Sequence, residues 1–187
     1  TQSNQLDGAP INAGTYWVEA YAPETSSTAS ATSQAVRFHI EKAPLCIRAK
    51  DKTITYGETL SDNGAEINGF VNNENETVLS GLNYAFGYAQ FSDIGTYTII
   101  PMNAQAENYK ITYENGVLTV QPKPVEIKWN SESIFYYDGT PKSVTAEAIG
   151  AVNGDALTVI IEDGSRTEIG AYTARAVALA GNKARNY

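Results

Sequence analysis

One phrase occurs three times in this chain and sets the size of its folding unit. It reads Asn12-Ala13-Gly14-Thr15-Tyr16-Trp17-Val18, then Asp93-Ile94-Gly95-Thr96-Tyr97-Thr98-Ile99, then Glu168-Ile169-Gly170-Ala171-Tyr172-Thr173-Ala174. Gly14 and Gly95 lie 81 residues apart, and Gly95 and Gly170 lie 75 apart, a period of one small domain. Other features keep the same register. Ile40 answers Val120, Pro44 answers Pro124, Tyr56-Gly57 falls near Tyr137-Asp138-Gly139, and Asn108-Tyr109 is echoed by Asn186-Tyr187. On this register residues 1–43 are expected to be the carboxyl-terminal half of one β module. Residues 44–123 are then a complete module, and residues 124–187 a third that lacks its last strands.

Inside the unit the apolar spacing is close to two. Leu45, Ile47 and Ala49 share one face while Cys46 and Arg48 share the other, as in a strand with one buried side. Asn115-Gly116 separates two such runs and predicts a β-hairpin, because both residues tolerate positive φ. Between Asn72 and Gly81, acidic residues precede an apolar pair, which fits one short helical turn or a polar loop equally well. No other stretch has helical periodicity. The expected fold is mainly β: tandem small β modules, either β-grasp-like or Ig-like sandwiches, arranged as an elongated rod. A helix near Asn75–Leu79 packed across a single sheet would mark the β-grasp.

Within the repeated phrase, glycine opens the strand where the chain turns sharply or another backbone comes close. Tyr97 and Ile99 are expected to point inward, with Tyr16 and Val18, and Tyr172 and Ala174, repeating them. A tyrosine here can bury its ring and tie its hydroxyl to nearby backbone, as in the tyrosine corners of β-sandwiches. The phrase therefore reads as structural rather than as a ligand signature. Trp17 breaks it, standing on the outward side where the other copies carry Thr98 and Thr173. It is expected to be covered by the rest of its own module or by a neighbouring one, and it is the one residue put forward as an interface or ligand contact. Trp129 aligns with Ala49 and is expected in the core.

Charge and residue chemistry exclude several functions. Against 21 acidic residues stand 13 Lys and Arg, a net charge of -8, which opposes binding to a phosphate backbone, so no nucleic-acid partner is expected. No apolar run approaches the roughly 18 residues that span a bilayer and no basic-apolar leader opens the chain, so no membrane insertion is expected. His39 alternates outward between Phe38 and Ile40, and Cys46 is the sole thiol. No nucleophile-elbow, zinc-protease or phosphate-loop pattern occurs, so the chain is read as no enzyme, with no cofactor. Asp62-Asn63-Gly64 and the stretch from Asn72 to Glu76 carry oxygen ligands but lack calcium-loop spacing and read as polar turns. Asn75-Glu76-Thr77 is a glycosylation triplet that occurs often by chance.

The strings "TITYGETL" from Thr53, "INGFVNNENETVLSGLNYAF" from Ile67 and "DIGTYTIIPMNAQAENYKITYENGVLTVQPKP" from Asp93 together resemble the YGX-type MBG domain, found in tandem in large bacterial surface and secreted proteins. The third segment, with "IFYYDGTPKSV" from Ile134, "VNGDALTV" from Val152 and "EIGAYTARAVAL" from Glu168, is similar to the YDG and Ig-like repeats of such proteins. The resemblance covers nearly the whole chain. It implies an extracellular repeat, at a bacterial cell surface or secreted, serving as spacer or adhesin stalk, and it brings no catalytic residues. The expected partners are neighbouring repeat modules of the same chain. A carbohydrate- or host-protein-binding adhesin module using outward aromatics is the alternative.

Overall fold

The two-residue apolar spacing becomes strand through most of the chain. The computed structural model describes residues 6–61, 64–130 and 134–187. In the first repeat, β1 (Gly14–Val18), β2 (Tyr21–Ala22), β3 (Ala31–Thr32) and β4 (Val36–Ile40) form two antiparallel pairs, β1 with β4 and β2 with β3. The middle repeat supplies β5 (Ala43–Ala49), β6 (Lys52–Thr55), β7 (Ala65–Asn68), β8 (Asn83–Phe86), β9 (Gly95–Met102), β10 (Tyr109–Glu114) and β11 (Gly116–Gln121). These seven strands form a sheet of order β10-β5-β7 and another of order β6-β11-β9-β8. In the third repeat, β12 (Glu126–Trp129) pairs with β14 (Ala146–Ile149), β13 (Lys142–Ser143) with β16 (Ser165–Arg166), and β15 (Thr158–Glu162) with β17 (Arg175–Ala180).

The chain divides into two compact units. One comprises residues 1–49, 64–85 and 100–115; the other comprises residues 50–63, 86–99 and 116–187. The first holds the β10-β5-β7 sheet, with Leu45, Ile47, Ala49 and Tyr109 buried. The second buries Ile54, Tyr56, Ile99, Leu118, Val120 and Val159. Strands β8 and β9 run through both. Alternation decides which side is buried: along β5 and β11 every second residue is enclosed.

The hairpin expected at Asn115-Gly116 does not form. Strand β10 runs parallel to β5, while β11 runs parallel to β6 and antiparallel to β9, so the two strands lie in different sheets. Neither Asn115 nor Gly116 takes the positive φ that a two-residue hairpin turn needs. The pair is a corner that carries the chain from one sheet to the other, and Lys50-Asp51 does the same between β5 and β6, with the Asp51 carboxylate accepting from Val117 N–H at 2.8 Å. Near Asn75 the chain makes a single 3-10 turn, Glu76–Val78, capped by the Asn75 side chain and burying no residue. It does not cover a sheet, so the β-grasp arrangement is not the one formed.

Sequence repeats are register repeats. Gly14 faces Ile40 and Tyr16 faces Phe38 in the first repeat; Gly95 faces Val120 and Tyr97 faces Leu118 in the second. Ile47 faces Ile67 and Ala49 faces Ala65; correspondingly Ile127 faces Ala148 and Trp129 faces Ala146. The inward set is not uniformly buried, however. Ile99 is enclosed, but Val18 and Tyr172 are exposed, and Trp129, expected in the core, is 42% exposed. Trp129 opens onto a cleft lined by Ile134–Tyr137 and Gly170–Ala174, segments that form no strand across it. Among the described residues no helix is long and apolar enough to cross a membrane.

Candidate functional site

Asn186 is the one polar residue fully buried among the described residues, and its carboxamide is spent on the repeated phrase. The 3-10 turn Ala184–Asn186 presents the side chain. Its Oδ1 accepts the Ile94 N–H at 3.1 Å, its Nδ2 donates to Asp93 Oδ1 at 2.9 Å, and its backbone carbonyl accepts the Lys123 N–H at 2.8 Å. Asn108 makes the same three bonds one repeat earlier. Its Oδ1 accepts the Ala13 N–H at 2.9 Å, its Nδ2 donates to Asn12 Oδ1 at 3.0 Å, and its carbonyl accepts the Ala43 N–H at 2.9 Å.

Only a carboxamide offers one acceptor and one donor side by side to a backbone N–H and a side-chain oxygen. The clasp thus joins the Asn-Tyr dipeptide of one repeat to the two residues before the glycine of the preceding repeat. Each clasp lies within a single compact unit, Asn12 with Asn108 in the first and Asp93 with Asn186 in the second.

The tyrosine of the phrase prepares the receiving corner. Tyr97 donates to the Asp93 carbonyl at 2.6 Å and Tyr16 to the Asn12 carbonyl at 2.9 Å, so each hydroxyl ties down the residue that meets the asparagine. Gly95 sits at φ +145°, open to glycine at no steric cost. Lys183 adds a 2.7 Å ion pair to Asp93 Oδ1. The Asn186 amide first, and then Lys183, hold the Asp93 carboxyl below the usual carboxylate range.

A second contact follows from the tyrosine after each clasping asparagine. Tyr187 Oη accepts the Val152 N–H at 3.0 Å and donates to Asp155 Oδ2 at 2.7 Å. Tyr109 Oη likewise accepts the Val71 N–H at 3.1 Å and donates to Glu74. Both grip a tight turn, Val71-Asn72-Asn73-Glu74 or Val152-Asn153-Gly154-Asp155, closed by a 3.0 Å bond from the acidic residue's N–H to the valine carbonyl. Its central residues have φ of 56° and 59° in one copy and 56° and 71° in the other, the type I′ geometry that asparagine and glycine favour.

In the second unit this turn is also held by the Tyr56-Gly57 pair. Tyr56 Oη donates to the same Asp155 Oδ2 at 2.8 Å, and its ring meets Tyr187 edge-on with centroids 5.4 Å apart. At Gly57, with φ +89°, a Cβ would fall 2.9 Å from Val152 Cγ2, so only glycine lets the turn approach. Burial, then the Asp155 carboxylate, raises the Tyr56 hydroxyl pKa. Burial first, with Asp155 contributing, raises that of Tyr187 to about 12.

Because the folded values lie above the unfolded value of 10.0, the stability they contribute is complete below pH 10 and is lost as pH rises toward 12. The urea midpoint should therefore hold to about pH 9 and fall steeply across that window, and the fall should be shallower in Tyr187→Phe. An equal fall in that variant would contradict the assignment.

The sequence candidates fall elsewhere. Trp17, on β1 opposite Arg37, is 65% exposed, so the rest of its own segment does not bury it. His39 is exposed and shares a 2.9 Å bond with Thr15 Oγ1, and Cys46 is half-buried on β5. Asp62 and Asn63 of the candidate oxygen-ligand turn lie outside the described residues. No group of three metal-ligating side chains occurs among the described residues. The clasping asparagines Asn108 and Asn186, and the Asp155 carboxylate that accepts from Tyr56 and Tyr187, were missed as functional residues, although the echo of the Asn-Tyr dipeptide was visible in the repeat register. A family model, MBG domain (YGX type), matches residues 45–119. No curated relative and no solved structure matches the chain.

Proposed function

We propose that this chain, whose residues 45–119 match the MBG domain (YGX type), a kind of repeat domain found in surface proteins, is a structural stalk or spacer segment of a bacterial cell-surface or secreted adhesin-like protein. The observation that carries the reading is the asparagine clasp, made twice with the same atoms in the same roles. A residue type repeated at module period and spent on the neighbouring module is what an array needs, since modules of about 80 residues bury only a little over ~60% of their unfolded surface. On this reading the partners are the neighbouring repeats, the setting is extracellular, and the net charge of -8 keeps such segments mutually repelling.

The rival reading, a glycan- or host-protein-binding adhesin module, draws on one observation: Trp17 and Tyr21 are both exposed in the first repeat. A glycan array probed with the native chain and with Trp17→Thr, the residue of the sibling copies, separates the two. The spacer reading expects no glycan whose capture depends on Trp17. A glycan bound by the native chain and lost in Trp17→Thr would overturn it in favour of the adhesin module.

A further inference from the structure

In the middle repeat the strands by which the chain enters lie beside the strands by which it leaves, and both pairings are parallel. Strand β5 opens the repeat at Ala43 and runs parallel to β10, with Ala43 facing Tyr109 and Arg48 facing Glu114. Strand β6 follows β5 and runs parallel to β11, which closes the repeat, with Lys52 facing Leu118 and Thr55 facing Gln121. One such ladder lies in each compact unit. Each is lengthened by a backbone bond of 2.9 Å: Ala43 N–H to the Asn108 carbonyl at the entry end of the first, and Tyr56 N–H to the Gln121 carbonyl at the exit end of the second.

Strand direction decides how a pull along the chain is borne. Tension from the preceding repeat draws β5 and β6 toward their amino-terminal ends, and tension from the following repeat draws β10 and β11 toward their carboxyl-terminal ends. Across a parallel pair these displacements are opposed and lie along the strands, so the ladder is sheared. Its bonds are evenly spaced and are therefore stretched together. Were the same strands antiparallel, the pull would enter and leave at one end and open the ladder bond by bond. Two features add to the resistance in the second unit. The Asp51 carboxylate accepts the Val117 N–H at 2.8 Å where β6 and β11 begin, and sliding would drag buried Ile54, Leu118 and Val120 out of register.

We propose that the middle repeat is a load-bearing clamp, which holds tension passed along the chain through the parallel ladders β5–β10 and β6–β11. The load is the pull between the repeat before Ala43 and the repeat after Gln121. The clamp rests on the reading of the chain as a stalk segment and adds to it that the segment resists extension as well as setting a distance.

The test pulls the full chain in two directions by single-molecule force spectroscopy. In a Cys46→Ser background, handles are attached at exposed positions: Glu41→Cys with Gln121→Cys for the shearing pull, and Thr59→Cys with Gln121→Cys for a peeling pull. Thr59 lies just past the exit end of β6, so the second pull opens β6–β11 from Thr55 and Gln121 inward. Forced unfolding is governed by the unfolding barrier and not by equilibrium stability, so direction alone can change the result. The expected rupture force is about twofold or more higher for the shearing pull at equal pulling speed, because the bonds share the load. Equal forces, or a lower force for the shearing pull, overturn the clamp. Asp51→Ala should lower the shearing force and leave the peeling force unchanged, since its bond lies at the end of the ladder away from Thr59. An equal fall in both overturns the part assigned to Asp51 in bearing load. Neither pull reads glycan capture, so a repeat that yields at equal force in both directions overturns the clamp alone, and a glycan lost in Trp17→Thr overturns the spacer reading alone.

Discussion

Replacing Asn186 with alanine should destabilise the second compact unit by about 3 kcal/mol. The figure follows from two lost hydrogen bonds of about 1 kcal/mol each and from an Ile94 N–H left without its acceptor beside a position with 0% exposure, while Asp93 Oδ1 keeps Lys183. Asn108→Ala removes the same bonds, but Asn108 is only half-buried, so water replaces them and the loss should be about 1 kcal/mol. The ratio matters more than either figure. Each compact unit contains one tryptophan, Trp17 in the first and Trp129 in the second. Urea unfolding followed by fluorescence in a Trp17→Phe background reports the second unit alone. A loss under about 1 kcal/mol for Asn186→Ala would mean that the carboxamide does not hold the corner.

The second large effect is expected at Tyr56, whose ring is 1% exposed and whose hydroxyl reaches Asp155. Tyr56→Ala should cost about 4 kcal/mol, in the range for truncating a buried aromatic ring. Tyr56→Phe should cost about 1 kcal/mol, because the ring keeps its edge-on contact with Tyr187 and Asp155 keeps the Tyr187 hydroxyl. The gap between the variants apportions the contact between packing and hydrogen bonding. Equal losses would place the energy in the hydroxyl, and a loss below about 1 kcal/mol for alanine would mean that the ring is not packed.

What was legible in the sequence was whatever recurs with the period. The first two copies of the glycine-tyrosine phrase and the two Asn-Tyr dipeptides stand at equivalent places in the fold, and the tyrosine hydroxyls of Tyr16 and Tyr97 return to backbone as expected of tyrosine corners. The near-total absence of helix followed from a spacing of two.

What was illegible was non-local. Asn115-Gly116 has the chemistry of a hairpin turn, but turn chemistry states only which φ values are permitted. The chain uses neither positive value, because β10 and β11 find parallel partners more than 60 residues away. Trp129 was placed in the core by register, and its register is indeed that of Ala49. Its exposure depends instead on what lies across the cleft, which no alignment of its own strand reports. Asn186 was visible as an echo of Asn108 but not as a clasp, since the partner corner lies 92 residues earlier.

The central claim is that Asn186 and the residue two before Gly95 act as one contact. The direct measurement is a double-mutant cycle in urea with Asp93→Ala, Asn186→Ala and the double variant. If the clasp joins the repeats, the double variant should be scarcely less stable than Asn186→Ala alone. If its loss equals the sum of the two single losses, the residues act independently and the clasp does not hold.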